Sequence, residues 1–166
     1  IGNTASIAGY SGGDIDRAWV TANGYVNTAD GSWQYINTDT ASQHEQRDGT
    51  HKFQVAPSGS ADANISWSTA MTIDNSGNVG IGRTPEAWKS SMTALALGQS
   101  NAVYARSDNQ AITLAKNFYH NSSSQDIAIA TDQAAKLELN SGQIRFFTAG
   151  TTSSGSAISW NSALTI

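Results

Sequence analysis

Short stretches of alternating hydrophobic and polar residues run along this chain, separated by turn-forming residues roughly every eight to twelve positions. Strands are predicted at residues 33–37 and 127–130, and at the repeated Ile-Ser-Trp and Thr-Ile segments. Helix signals are sparse by comparison. The pattern therefore predicts an all-β protein built from many short strands.

A nine-residue segment occurs twice, as Ile65–Ile73 and again as Ile158–Ile166, at an offset of 93 positions. Extended backwards without a gap, this register places Arg17 opposite Gln110. The following pairs of residues are identical along it: Ala18 and Ala111, Thr38 and Thr131, Asp39 and Asp132, Glu45 and Glu138, Gly49 and Gly142, Phe53 and Phe146. Internal repetition at such a period indicates tandem copies of one structural unit.

The two copies define two predicted β modules, residues 1–84 and the truncated copy at residues 94–166. Between them, Thr84 as N-cap and Pro85 at the first helical position predict a short helical joint over residues 85–93. The second copy ends inside the repeated motif. We therefore expect the chain to be a piece of a longer repetitive protein.

A β-hairpin is predicted in each copy around a two-residue turn. The Asp-Gly dipeptide at residues 48–49 is a strong signal for such a turn, and it places Glu45 opposite Lys52. The same construction in the second copy pairs Glu138 with Arg145. An exposed ion pair of this kind contributes only some tenths of a kcal/mol to stability. Its presence in both copies serves here as evidence for the register of the hairpin.

The other face of the predicted hairpin differs between the copies. In the second copy it carries four apolar residues, which predicts that this face is buried: Leu137, Leu139, Ile144 and Phe146. In the first copy it carries mostly polar residues: His44, Gln46, His51 and Phe53.

Composition makes burial within one chain difficult. Leu, Ile, Val and Phe supply 28 of the 166 residues, about 17%, below the roughly 20% typical of chains that fold alone. The net charge is only −4, however, and Ser, Thr and Asn are abundant, which favours an ordered, neutral β surface over disorder. A small unit with so thin a core is expected to share burial with copies of itself.

Several classes of function are excluded at this stage. With 9 basic and 13 acidic residues and a pI near 5.1, the chain lacks the positive charge that nucleic-acid binding requires. No apolar run approaches the roughly 18 residues of a membrane span, so no membrane insertion is expected. The absence of cysteine excludes disulfides, thiol catalysis and cysteine-based zinc sites, and it suits assembly in a reducing cytoplasm.

The segment Ile65–Gly82, with its Ile-Ser-Trp, Met-Thr-Ile and Gly-Asn-Val-Gly-Ile-Gly motifs, resembles the repeated modules of tailed-bacteriophage tail fibre (receptor-binding) proteins. The stretch Trp33–Ala56 is similar to the same modules. The resemblance covers residues 17–84, with residues 110–166 as a diverged copy. In that family such modules often precede a self-cleaving intramolecular chaperone, whose catalytic residues are not found in this stretch.

The resemblance implies an elongated homotrimer located in the virion tail, assembled in the host cytoplasm, that carries or forms the region binding a host cell-surface glycan or protein. It implies no enzymatic activity and no cofactor. Three chains around one axis could bury the predicted structural core residues against one another: Phe53, Trp67, Phe146 and Trp160. Two alternatives remain open, a free-standing carbohydrate-binding module of a bacterial surface protein and a part of a depolymerase tailspike.

A metal site within one chain is not predicted. His44, Asp48 and His51 are close in sequence, but the hairpin directs Glu45 away from both histidines. Around a threefold axis, copies of His44 or His51 could meet and hold an ion, since neutral imidazole is a good ligand. The Asp-Asn-Ser-Gly-Asn turn lacks the alternating acidic ligands of a calcium loop, and no catalytic grouping is found.

Exposed aromatic rings are the candidates for receptor or glycan contact. The gapless register replaces Trp33 by Asp126 and Tyr35 by Ala128, which indicates that these positions tolerate exposure. We therefore predict contacts through Trp33, Tyr35 and Tyr10. The core is predicted to include two tryptophans that recur, Trp67 and Trp160, and one that the register places opposite an apolar residue, Trp19 opposite Ile112.

Overall fold

The computed structural model describes residues 5–12, 15–108 and 110–166. Regular secondary structure in these ranges consists of β-strands, and none of the described residues is helical. The predicted all-β class is confirmed. The chain divides into two compact units, Ile1–Asn75 and Ser76–Ile166, which overlap the predicted modules without coinciding with them.

The first unit contains one five-stranded antiparallel sheet and one two-stranded sheet. The order in the larger sheet is β1-β2-β5-β6-β7, and β3 pairs with β4. The strands of this unit are β1 Ala5–Gly12, β2 Ile15–Ala22, β3 Gly24–Val26, β4 Trp33–Tyr35, β5 Asp39–Arg47, β6 Thr50–Gly59 and β7 Ser68–Ile73.

The second unit has a similar arrangement. Its larger sheet has the order β8-β9-β10-β11-β14-β15-β16, with β8 and β9 parallel and the other pairs antiparallel, and β12 pairs with β13. The strands are β8 Val79–Ile81, β9 Met92–Leu97, β10 Asn101–Arg106, β11 Ile112–Lys116, β12 Phe118–His120, β13 Asp126–Ala128, β14 Asp132–Asn140, β15 Gln143–Thr152 and β16 Asn161–Thr165.

Both predicted hairpins are present with the predicted register. Glu45 is paired with Lys52 between β5 and β6, and Glu138 with Arg145 between β14 and β15. Both residues of each turn have positive φ, 49° and 74° at residues 48–49 and 53° and 74° at residues 141–142. Two successive positive φ values are what a type I′ turn requires, so the local sequence explains both hairpins.

The predicted helical joint is wrong. Residues 84–89 form no regular secondary structure. Trp88 is buried in the core of the second unit, where its ring lies 4.9 Å from that of Tyr104, and the backbone N–H of Lys89 donates to the carbonyl of His120. Tertiary packing and a long-range hydrogen bond, together with isolated local bonds such as that from the N–H of Met92 to the carbonyl of Lys89, hold this segment in a non-helical conformation.

The constant offset of 93 residues between the two copies does not hold across one loop. Asn23 exchanges side-chain hydrogen bonds with the backbone of Asn37, and Asn117 does the same with Ala130. The two asparagines are 94 positions apart (23 and 117), whereas their partners are 93 apart (37 and 130). The loop at residues 121–125 is therefore one residue shorter than its counterpart in the first unit.

This shift changes the environment that the sequence predicted for Trp19. Trp19 pairs with Glu45, and the residue that pairs with the equivalent Glu138 is Thr113, not Ile112. Trp19 is half-buried and Thr113 is fully buried. Ile112 is therefore not the counterpart of Trp19, but the true counterpart, Thr113, is also at a buried position.

Each unit has its own small hydrophobic core on one face of its larger sheet. In the first unit, Ile65 and Trp67 pack against a buried cluster of Tyr35, Ala41 and Ala56. In the second, Tyr119, Ile158 and Trp160 pack against a buried cluster of Trp88, Met92, Ala94, Ala102, Tyr104, Ala115 and Phe118. Trp67 and Trp160 thus contribute to these cores. Phe53 and Phe146 do not, because they are 41% and 38% exposed in the single chain.

Candidate functional site

Only part of the predicted aromatic contact set is accessible. Trp33 is half-buried and packs edge-to-face between Trp19 and Trp67, with ring centroids 5.8 and 6.2 Å away. Tyr35 is only 4% exposed, and its hydroxyl donates to the carbonyl of Pro57. The prediction that Tyr35 contacts a receptor is therefore wrong. The backbone of Tyr10 lies in β1, but its side chain is outside the described residues.

A size exchange explains why Tyr35 can be replaced by Ala128 without being exposed. The ring of Tyr35 lies against Gly59, where an added Cβ would be only 2.2 Å from the ring. In the second unit the residue at the position of Gly59 is Thr152, and the smaller Ala128 is still buried. A large ring beside glycine in one unit thus corresponds to a small side chain beside threonine in the other.

We expect Gly59→Thr to destabilise the first unit by about 1 to 3 kcal/mol, the usual range for overpacking a core. Tyr35→Ala alone should also destabilise, by leaving a cavity. The double variant should recover part of the loss, because it recreates the pair found in the second unit. Denaturant unfolding of the four proteins measures this coupling, and strictly additive effects would contradict the exchange.

The two candidate histidines are adjacent on the hairpin. Nε2 of His44 and Nδ1 of His51 are 3.2 Å apart, and the ring of His44 stacks on Phe53 at 4.6 Å. Within the described residues, no group of three or more metal-binding side chains forms in one chain. The axial ion site at His44 or His51 requires several chains and stays a prediction.

An apolar row crosses the whole sheet of the second unit. Its members are directly paired across successive strands, so their side chains share one face. The row consists of Val79, Leu95, Val103, Leu114, Leu137, Phe146 and Leu164. A shorter parallel row contains Ile112, Leu139 and Ile144. We call these residues together the uncovered face of the second unit.

The uncovered face is exposed in the single chain. Leu114 and Leu164 are 54% and 50% exposed, and Leu95, Ile112, Leu139 and Ile144 are between 36% and 46% exposed. A groove of about 410 Å³ beside it is lined in part by Leu114, Leu137 and Phe146. The small buried residues Ala94, Ala102 and Ala115 alternate with the row and belong to the core. One face of the sheet therefore packs within the chain and the other does not.

A corresponding row in the first unit is shorter and partly polar. It consists of Ile7, Val20, His44, Phe53 and Met71, paired in that order across β1, β2, β5, β6 and β7. The sequence identified this contrast only in the two hairpins. The sequence alone does not extend the row to β8–β11, because it does not show how those strands pair.

A second feature, which sequence reasoning missed, is a charged cluster around Asp126. One carboxylate oxygen of Asp126 is 2.7 Å from Nδ1 of His120, and the other is 2.9 Å from Nζ of Lys136 and 2.8 Å from Nε1 of Trp160. The Lys136 ammonium also lies 4.6 Å from the centroid of the Trp160 ring and 4.9 Å from that of Phe147. These groups form a largely buried network in which both carboxylate oxygens of Asp126 are hydrogen-bonded.

Two opposing effects set the pKa of Asp126. Burial by itself would raise the pKa of this carboxyl group, but the positive charge of Lys136 and the hydrogen bonds from His120, Lys136 and Trp160 outweigh it, so the pKa lies below its ordinary value. Asp126 is therefore ionised at neutral pH and paired with Lys136.

The first unit builds the same region without these charges. Val26, Trp33 and Gln43 occupy the positions of His120, Asp126 and Lys136. Gly24 lies against Thr21 and Ile65, where an added Cβ would be 2.8 and 3.2 Å from their side chains, whereas the equivalent residue of the second unit is the fully buried Phe118. The offset of 93 residues aligns Trp33 with Asp126. It does not show which residues on other strands contact either side chain.

The described residues include no helix long and apolar enough to cross a membrane. The chain has no significant match among models of protein families, among curated proteins or among solved structures.

Proposed function

We propose that this chain is a structural and adhesive segment of an elongated, homotrimeric fibre of a phage-like tail, which carries or forms the region that attaches to the host. The segment is non-enzymatic, needs no cofactor and belongs to the virion tail after assembly in the host cytoplasm. The observation that carries this proposal is the uncovered face of the second unit. The number of chains and the phage setting come from the resemblance of the repeated motifs to tail fibre modules.

The chemistry of the uncovered face favours another copy of the chain as its occupant. The named residues of both rows are uncharged and apolar, so they offer nothing to a charged partner. Complete burial of a large apolar side chain contributes about 1.5 to 3 kcal/mol. Seven members of the two rows are 36% to 54% exposed, so each would add about 1 kcal/mol on association. That sum is comparable to the net stability of a small domain.

Size-exclusion chromatography with light scattering tests the proposal. We expect a particle of three times the 17.4 kDa chain mass at micromolar concentration. A stable monomer would contradict the proposal and would favour the free-standing carbohydrate-binding module instead.

The non-enzymatic part is tested separately. The purified chain is incubated with capsular polysaccharide or lipopolysaccharide of candidate host bacteria, and the products are sized. We expect no change in chain length. Release of shorter oligosaccharides would contradict this part and favour the depolymerase tailspike.

A further inference from the structure

A polar pocket opens beside the charged cluster of the second unit. Its volume is about 320 Å³, at the lower end of the range for small-molecule sites. It is lined by His120, Ser124, Gln125, Asp126, Ala157, Ile158 and Trp160. The polar members come from β12, β13 and the intervening turn, and the apolar wall comes from residues 157–160. Two sides of the pocket thus differ in chemistry.

The first unit shows that the fold does not require this cluster. With Val26, Trp33 and Gln43 at the equivalent positions, it forms the same small sheet without a buried ion pair. Replacing buried ion pairs by packed apolar residues is often neutral or stabilising. Folding alone therefore does not explain why the second unit has charged residues at Asp126 and Lys136.

One of the residues that line the pocket has an unsatisfied polar atom. His120 is 8% exposed, and its Nδ1 is bonded to Asp126. Its Nε2 is buried and has no hydrogen-bond partner among the described residues. Buried polar atoms nearly always have a partner, so this nitrogen has hydrogen-bonding capacity left for a ligand or a water.

The charges around the pocket indicate a neutral ligand. The carboxylate of Asp126 is compensated by Lys136 at 2.9 Å, so no uncompensated negative charge attracts a cation. Lys136 itself is absent from the lining. The ammonium of Lys89 lies 3.0 Å from the hydroxyl of Ser124, but it is also 3.8 Å from a carboxylate oxygen of Asp108, so this charge too has a counter-charge. What remains is a set of hydrogen-bonding groups facing an apolar wall.

We propose that this pocket binds one neutral sugar ring. A pyranose has hydroxyl groups that both donate and accept, which suits Ser124, Gln125 and the polar cluster, and it has a C–H face that suits Ile158 and Trp160. This inference deepens the adhesive part of the proposed function and rests on that part. It does not depend on the number of chains, which light scattering measures independently.

Saturation-transfer NMR tests the pocket with named probes. The neutral probes are methyl α-D-glucopyranoside, methyl β-D-galactopyranoside, N-acetylglucosamine and N-acetylgalactosamine, and the charged comparators are sodium glucuronate and glucosamine hydrochloride. We expect at least one neutral sugar to bind with a dissociation constant at or below about 10 mM, and to bind at least tenfold more tightly than both charged sugars. No binding by any neutral sugar, or equal binding of a charged one, would overturn the proposal.

Substitutions in the pocket test whether the sugar binds there. Gln125→Ala removes an exposed lining side chain, and Ala157→Trp fills the pocket from its apolar side. Each should weaken binding at least tenfold while leaving the circular dichroism spectrum unchanged. Ser32→Ala is the matched control, because Ser32 occupies the position of Gln125 in the first unit, and it should bind normally. Binding that survives both pocket variants, or is lost in Ser32→Ala, would place the sugar elsewhere and overturn the proposal.

Discussion

Leu114→Lys is expected to convert the assembled chain into monomers. Leu114 is 54% exposed at the centre of the apolar row, so a lysine there is compatible with a folded single chain. In the proposed assembly the same lysine would be buried against apolar partners in every copy. An unpaired buried charge costs several kcal/mol, so the association constant should fall by about a thousandfold or more. Light scattering across a dilution series measures this change.

The matched control is Ser123→Lys, which adds the same charge on an exposed turn of the second unit, away from the uncovered face. It should leave the mass of the particle unchanged, and both variants should keep the strand signal in circular dichroism. If the Leu114 variant assembles as the unaltered chain does, the uncovered face is not the interface and the proposed function loses the observation that carries it.

Asp126→Asn should destabilise the second unit by about 3 kcal/mol. The substitution keeps the shape of the side chain but leaves the buried ammonium of Lys136 without its counter-charge. Removing one partner of a buried pair usually costs about 3 to 5 kcal/mol, and the remaining hydrogen-bonding capacity of asparagine places our estimate at the lower end. Urea unfolding followed by tryptophan fluorescence measures the difference.

The dependence on pH follows from the lowered pKa of Asp126. A carboxyl group whose pKa is lower in the folded state binds protons more readily when unfolded. Its stabilisation is therefore fully present above the unfolded value of about 3.9 and is lost as pH falls through the lower folded value. The difference in stability between the unaltered chain and Asp126→Asn should accordingly shrink as pH falls below about 4. A difference that grows on acidification would contradict this assignment.

Asp132→Asn is the control for this prediction. Asp132 also pairs with a lysine, Lys116 at 3.1 Å, but both side chains are about half exposed. Solvent screens such a pair, so we expect little change in the free energy of unfolding. If both substitutions lowered the free energy of unfolding equally, burial would not be the reason that the pair of Asp126 and Lys136 is stabilising.

Local signals predicted the hairpins well. An Asp-Gly or Ser-Gly turn with two positive φ values determines which residues face each other, and the alternation of side chains then assigns every residue to a face. The contrast between Leu137 and His44 followed from the same alternation. These features depend on residues within about ten positions of one another, so a single sequence contains the needed information.

The errors concern residues whose partners are distant in the chain. Tyr35 was predicted to be exposed because Ala128 replaces it, but Gly59 and Thr152 compensate for the change in size. Trp19 was matched to the wrong residue because one loop is a residue shorter, which is invisible until the sheet pairing is known. The helical signal at Thr84 and Pro85 was overridden by the packing of neighbouring side chains.

The sequence by itself determined the all-β class, the two hairpins and the thin supply of apolar residues, since alternation, turn chemistry and composition are local or additive properties. Only the tertiary structure decided that one apolar row crosses seven strands and that Asp126 meets His120, Lys136 and Trp160. The row joins strands from β8 to β16. His120 and Lys136 are only 6 and 10 residues from Asp126, but they lie on different strands, and Trp160 is 34 residues away. Which strands become neighbours depends on the free energy of the whole sheet, and no single segment carries that information.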